Sequence, residues 1–480
     1  MSWPSRSIAC ALACALLLLL SARLSHAQWF TGSLKDSANQ ADYIIVTVPA
    51  YAGIVQPLAA YRSSHQSLST MIVLMDSILS TFPRSSPDSS IRDFVTRTLT
   101  DWTPPAPRLL LLAGNINAVP SHRVASTFFY DFGEDSIMID QWFAGDTAES
   151  QSFPSPQMAI GRFPAWSGSE LETMVNKTLE YEEAPAGTWA NRVIAVADSM
   201  DYRVFEPDGS YFLSTAASHW SDTISVHVRD DSPWHKSKAE FLDLWNTGSA
   251  IISFFGHARG PRFSRASYFT SSDVDSLAIG SPLPLVFFEA SQRFEEPDTL
   301  PMAVALLRKP DRGGVCVIAP SGLIYATAGR QFTTDVVRQL SIRPREPVGT
   351  AWHSATASDP SIISARWTLL GDPALVIKSR GTASNDDPPA GMPSDYVLDQ
   401  NFPNPFNPST TIQYALPHAT FVRLSVFNTL GQRVAVLWDG VQEAGYHQAE
   451  FDGAHVSSGV YYYRIETGSF TAMKKMMLVK

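Results

Sequence analysis

Cysteine is nearly missing from this chain. Three occur in 480 residues, and two of them, Cys10 and Cys14, sit in an apolar leader. Cys316 alone remains beyond it, and a lone thiol builds neither a disulfide framework nor a multi-thiolate zinc site. Positive charge is also scarce: 36 Lys and Arg stand against 46 Asp and Glu, a formal charge of −10. With no basic block, sequence-independent nucleic-acid binding is excluded. The histidines other than His257 are scattered without metal-ligand spacing. Long apolar runs are absent beyond the leader, so no membrane-spanning helix is expected in the mature chain. What is present is a composition 45% hydrophobic and 17% charged. That is enough to bury sizeable cores over two or three domains, and it excludes disorder as the main state.

The leader reads as a secretory signal peptide. Arg6 precedes the apolar stretch Ile8 to Leu20, and Ser25-His26-Ala27 supplies small residues at a cleavage site. As a helix the stretch would span about 20 Å, too short for a hydrocarbon core of about 30 Å. Cleavage after Ala27 removes Arg6 and Arg23, moving the formal charge from −10 to −12, and makes the product secreted or attached to the outer surface.

Residues 28–40 are polar and read as a linker. From residue 41 to 378 the text alternates short β-branched runs with helical patterning. Strands are expected at Tyr43 to Val48, Arg108 to Asn115, Arg192 to Asp198, Ala250 to Phe255, Leu285 to Phe288 and Gly314 to Ala319. Helices are expected near Ile54 to Arg62, Ile91 to Leu99 and Gly168 to Glu183. Near-continuous apolar strands between helices imply an α/β fold with a mostly parallel sheet covered by helices, in subdomains of about 41–188 and 189–378. Residues 379–395 are rich in Ser, Asp, Pro and Gly, a linker composition. Beyond them, short alternating segments between Gly turns predict a small all-β sandwich of about seven strands over 396–480.

That last module carries specific text. It opens with Asn401-Phe402-Pro403-Asn404-Pro405-Phe406-Asn407-Pro408-Ser409-Thr410-Thr411-Ile412, holds Asn428-Thr429-Leu430-Gly431-Gln432 in its middle and Ser458-Gly459-Val460-Tyr461-Tyr462 later. It closes on Met473-Lys474-Lys475-Met476-Met477-Leu478-Val479-Lys480. It resembles the C-terminal sorting domain of cargo for the type IX secretion system, which implies that machinery as a partner and passage across the outer membrane. A carbohydrate-binding or adhesive sandwich is the competing reading.

Asp198, His257 and Ser291 stand at expected strand ends, where open α/β sheets build sites. A nucleophile, a base and an orienting carboxylate are the parts of a triad. Here the chain resembles the gingipain family of cysteine peptidases, with a caspase-like fold. The resemblance is carried by Ala159-Ile160-Gly161-Arg162-Phe163, Gly256-His257, Thr270 to Val274 before Leu283-Pro284, Gly313 to Ala319, and Leu369-Leu370-Gly371-Asp372-Pro373. It implies His257 as base, Asp198 as its orienting carboxylate, and Ser291 where the family has its catalytic cysteine. The backbone N–H groups of Ala258 and Ser291 would hold the oxyanion. A hydroxyl needs stronger base assistance than a thiol, and Ala258 stands where the family usually has Gly. These departures imply a secreted peptidase-family protein with reduced or lost cysteine-peptidase activity that takes a peptide or protein in its cleft. The alternatives are an active serine-type hydrolase using Asp198, His257 and Ser291, and a non-catalytic cell-surface binding or secretion-assembly protein. Cys316, in an apolar run, reads as core. Asp372 reads as a turn cap. No cofactor is expected. Asp140 and Asp146 suit a structural calcium ion by their chemistry, though solvated loop carboxylates are the simpler reading.

Overall fold

Burial on both faces is what the first strand demands: alternate residues Tyr43 and Ile45 enter one hydrophobic core, and Ile44 and Val46 enter another on the opposite side. The computed structural model describes residues 29–125, 136–145, 156–289, 300–358, 365–379, 396–398, 401, 404, 406–417, 420–443, 445–468 and 470–479. The leader lies outside them. Two units are distinguished, Met1–Ala383 and Ser384–Lys480.

The first unit begins with β1 (Tyr43–Thr47), α1 (Ala52–His65), β2 (Thr70–Leu74), α2 (Met75–Thr81), α3 (Pro87–Thr100) and β3 (Leu109–Ala113). It continues with the short pair β4 (Arg123–Ala125) and β5 (Ser136–Met138), then β6 (Ala159–Phe163) and α4 (Gly168–Glu183). Next come β7 (Arg192–Ala197), α5 (Tyr202–Ala216), β8 (Asp222–His227), α6 (Lys238–Thr247) and β9 (Ile251–Phe255). A three-stranded hairpin follows, β10 (Ala258–Arg259), β11 (Arg262–Phe263) and β12 (Phe269–Thr270). The unit closes with β13 (Leu285–Glu289), α7 (Met302–Arg308), β14 (Cys316–Pro320), α8 (Ala326–Ile342), α9 (Val348–Ser358) and β15 (Trp367–Leu370). Helix ends follow local chemistry. The Ser167 hydroxyl accepts from Glu170 N–H to start α4, and Ser237 with Glu240 forms a capping box on α6.

Ten strands form one sheet in the order β2-β1-β3-β6-β15-β14-β13-β9-β7-β8. Every neighbouring pair is parallel except β14–β15. The sheet is therefore two parallel five-stranded blocks of opposite direction, joined where the late strand β15 slots in beside β6. Strands from both expected subdomains share this sheet, and β15 returns from the end of the unit to complete the first block. In the second block, Val193, Ile251 and Leu285 lie level across β7, β9 and β13. The C-terminal ends of those three adjacent strands are consequently level too.

Residues 29–40, expected as a linker, are instead packed on the edge of this sheet. Trp29 bridges Ile72, Phe30 N–H donates to Ile72 O at 2.7 Å, and Leu34 is buried with its carbonyl accepting from Trp102 Nε1 at 3.1 Å. Leu34 enters the core and Phe30 packs partly buried against it, while Trp29 joins only through its backbone, and burying one large side chain contributes about 1.5–3 kcal/mol.

Buried ion pairs knit the layers. Arg62 on α1 donates from Nε and Nη2 to Asp372 Oδ2 at 2.9 and 2.7 Å and also pairs with Glu182. Asp372 accepts from Tyr43 Oη and caps Ala374 N–H, which makes it structural. Arg162 on β6 meets Asp140 in a two-pronged pair, Nε to Oδ2 at 2.7 Å and Nη2 to Oδ1 at 2.8 Å, and reaches the carbonyls of Gly114 and Val119. Both Asp140 oxygens are thus held by a guanidinium in the interior. Asp140 is therefore not the solvated loop carboxylate expected, and Asp146 lies outside the described residues.

The second unit packs the three-stranded sheet β16 (Val397–Leu398), β17 (Ser409–Leu416) and β20 (Gly445–Asp452) with the four-stranded sheet β19 (Arg433–Gln442), β18 (Thr420–Asn428), β21 (Gly459–Glu466) and β22 (Thr471–Leu478). The Asn-Pro motif straps the last strand. Asn404 Oδ1 accepts from Met477 N–H at 2.8 Å, Phe406 N–H donates to Met477 O, and Phe406 O accepts from Val479 N–H. A strand that would otherwise present open backbone groups is closed along this stretch.

Candidate functional site

Asp198 follows β7 directly, and its N–H donates to Phe255 O at 2.9 Å, so the ladder carries one residue past the strand. Its side chain is fully buried, while that of His257, just beyond β9, is 47% exposed. Asp198 Oδ2 accepts the His257 backbone N–H at 3.2 Å, and Oδ1 accepts the Met200 N–H at 3.3 Å. The imidazole Nδ1 lies 3.5 Å from Asp198 Oδ2, at the long limit of a hydrogen bond. Burial by itself would raise the Asp198 carboxyl. Hydrogen bonds from the His257 side chain, the Ser264 hydroxyl and the backbone N–H groups of His257 and Met200 outweigh it and hold the group below the usual carboxylate range.

Gly256 makes this approach possible. A Cβ there would stand 2.4 Å from Asp198 Cβ and 3.0 Å from the Phe263 ring, so no larger residue fits between the two strand ends. The Phe205 ring on α5 meets the imidazole edge-on at 5.2 Å, restricting its rotation. With Nδ1 directed to the buried carboxylate, Nε2 is the nitrogen turned towards solvent. Asp201, in the left-handed region at φ 52°, brings Oδ2 to 3.6 Å from Nε2. Composition and strand patterning carry no signal for Asp201, Phe205 or Ser264, since each is brought in by the turn geometry that follows a strand.

Two of the three expected triad residues are therefore brought together. Ser291 lies outside the described residues; β13 ends at Glu289, two positions before it. Ala258 opens β10, half-buried and opposite Phe263. Cys316 begins β14 and is completely buried. Burial, helped by the charge of Asp372, pushes its thiol far above the ordinary range, so it is inert core. Among the described residues no group of three His, Cys, Asp or Glu is arranged to hold a metal ion.

Sequence reasoning also missed a buried carboxyl at the end of β13. Glu289 is buried, pairs with the Thr333 hydroxyl of α8, and leaves Oε2 with no hydrogen-bond partner among the described residues. Nearby Asp208 on α5 is also buried and accepts from Arg330 Nη1 at 2.9 Å. Burial, with Asp208 adding to it, raises the Glu289 carboxyl well above its usual value despite the Thr333 bond and Arg330.

Comparison with known proteins bears on this arrangement. The model of Peptidase family C25 matches residues 36–378, most of the chain. The chain belongs to that family. A second model, described as a secretion system C-terminal sorting domain, matches residues 400–480, which makes the β-sandwich a sorting domain. Among curated relatives, Gingipain R2 of Porphyromonas gingivalis is 21% identical over 246 residues, 46% of this chain and 33% of that protein. Gingipain R1 of the same species is 21% identical over 246 residues, 46% of this chain and 24% of that protein. The matches thus take in a third or less of those relatives' length. Among solved structures, the Arg-specific cysteine proteinase gingipain R aligns with a TM-score of 0.58 at 16% identity, covering 94% of this chain and 100% of that one. This likeness establishes a gingipain-like fold in the family member described here. Among the described residues no helix is long and apolar enough to cross a membrane.

Proposed function

We propose that this family member is exported by the type IX system through its sorting domain and binds polypeptide at the ends of β7, β9 and β13, with cysteine-peptidase chemistry reduced or lost. The observation that carries the reading is the buried Asp198 holding His257, by its backbone N–H at 3.2 Å and beside Nδ1 at 3.5 Å, with the chain's one thiol outside the leader locked in the core. An oriented base is retained where the nucleophile position holds Ser291. His257 Nε2 is the atom that would take a proton from an attacking hydroxyl, and Asp198 would stabilise the imidazolium formed.

The same pair favours a second reading, a serine-type hydrolase, because a hydroxyl depends on an oriented base more than a thiolate does. Fluorophosphonate labelling of the purified protein separates the two. Labelling that Ser291→Ala abolishes would establish the hydrolase and overturn the loss of activity. No labelling, with peptidase activity gained by Ser291→Cys, would support a cleft intact but for its nucleophile. If Ser291→Cys stays inactive and no peptide binds, the polypeptide reading falls and a non-catalytic surface or assembly role takes its place. Export is tested separately, by deleting residues 396–480 and assaying the culture medium and cell surface for the protein.

A further inference from the structure

The hairpin β10–β11–β12 grows directly out of the residue after His257 and is anchored to the core. Phe263 and Phe269 are fully buried, with the Phe263 ring 4.9 Å from Phe254 and Phe269 stacked on Trp245 at 5.2 Å. Ser264 returns to the site: its N–H donates to His257 O at 2.8 Å, and its hydroxyl reaches the Asp198 carboxylate. Ser264 and Ser267 hold φ of 66° and 53°, the left-handed region that side chains other than glycine's rarely occupy.

On either side of Ser264 the hairpin exposes Arg262 and Arg265. Among the described residues neither guanidinium makes an ion pair or a hydrogen bond. Arg192, Arg229, Arg308, Arg330 and Arg338 of the same unit are each paired with a carboxylate. Two unpaired cations on a rigid support beside the base are notable in a chain of formal charge −10, which as a whole repels anions. The exposed carboxylate of Asp201, just before α5, guards the Nε2 side of the imidazole.

We infer that Arg262 and Arg265 are a specificity element: they select polypeptides that carry acidic side chains next to the residue held at His257, and the acidic groups lie on the hairpin side, away from Asp201. The inference rests on the polypeptide reading of the site given above and adds the substrate class. A guanidinium presents a planar fork that matches a carboxylate with two parallel hydrogen bonds. Each such pair at an exposed rim contributes modestly, so two together give a preference of about three- to tenfold in Kd, and it must weaken with salt.

The test uses fluorescence anisotropy with the full chain carrying Ser291→Ala, to prevent turnover. Two fluorescein-labelled peptide pools of matched sequence are compared, one containing Glu and Asp and the other Gln and Asn at the same positions. The expected result is about three- to tenfold tighter binding of the acidic pool at low salt, lost near about 0.5 M salt and lost in the Arg262→Gln, Arg265→Gln double variant. Equal binding of the two pools overturns the inference while leaving the polypeptide reading intact. So does a preference for the acidic pool that survives in the double variant. Binding of neither pool overturns the polypeptide reading and this inference with it. Both arginines are exposed, and circular dichroism of the double variant confirms that the fold is kept.

Discussion

Replacing Glu289 with Gln should make the protein less sensitive to alkaline pH. Glu289 ends β13 inside the unit, with burial as the main cause of a carboxyl raised well above its usual value, and with only the Thr333 hydroxyl as a hydrogen-bond partner among the described residues. The folded protein therefore keeps a proton that the unfolded chain releases above a pKa of about 4.3. A group raised in the folded state contributes stability that is complete below the unfolded pKa and is lost as pH rises towards the folded one. Within that window the wild-type protein loses about 1.4 kcal/mol of stability per pH unit through this residue. The amide introduced by Glu289→Gln does not titrate, so the difference in unfolding free energy between variant and wild type should shift in the variant's favour by the same amount per unit. The amide leaves a donor where Oε2 has no partner, which costs about 1–3 kcal/mol. That cost is independent of pH, so it moves the offset of the comparison and not its slope. Urea denaturation from pH 5 to 8, followed by the fluorescence of the tryptophans between Trp29 and Trp367, reads the slope directly. Parallel stability curves for wild type and variant would refute a Glu289 carboxyl raised by burial.

Gly256→Ala should displace Asp198 from His257, because the new Cβ would fall 2.4 Å from Asp198 Cβ. The expected signs are a lower Tm and an altered His257 imidazole signal by NMR. Asp372→Asn removes one of the two carboxylates paired with the buried Arg62 and leaves Glu182 as the other, so it should destabilise the protein in denaturant titrations by less than the about 3–5 kcal/mol of an uncompensated buried charge. Asp198 is held below the usual carboxylate range. Its contribution is therefore present above an unfolded pKa of about 3.9 and lost as pH falls through the folded value. Asp198→Asn should accordingly flatten the acid limb of the stability curve between about pH 5 and 2. Cys316, fully buried, should stay unmodified by a thiol reagent until the protein is unfolded, and modification at the folded protein's own rate would contradict its core placement.

Much of the fold was legible because the signal was local. The helix expected at Gly168 to Glu183 has those bounds in the structure, capped by Ser167. The strands at Tyr43, Arg192 and Leu285 were visible as β-branched or apolar runs that only a doubly covered sheet can bury. Others were not. Asp222–His227 alternates weakly as an edge strand, and Trp367–Leu370 is only four residues long, yet it joins the two blocks. Residues 28–40 read as a linker because polar residues dominate their composition, while in the described part Leu34 enters the core with Phe30 packed against it.

By itself the sequence determined the chemistry on offer: a single thiol, Cys316, beyond the apolar N-terminal stretch, a histidine and an aspartate each just past an apolar strand, and a motif-rich β module over 396–480. It determined these because residue type and strand periodicity are local properties. Tertiary structure alone decided that β7, β9 and β13 are neighbours with level ends, that Asp198 is sealed while His257 is open, that Asp201 approaches the imidazole and that Ser264 reaches Asp198. It also decided that Asp140 is spent on Arg162 and that burial raises the Glu289 carboxyl. The physical reason is that pairing order, burial and charge contact depend on residues distant in the chain, and these energies exist only once the sheet has brought them within a few ångströms.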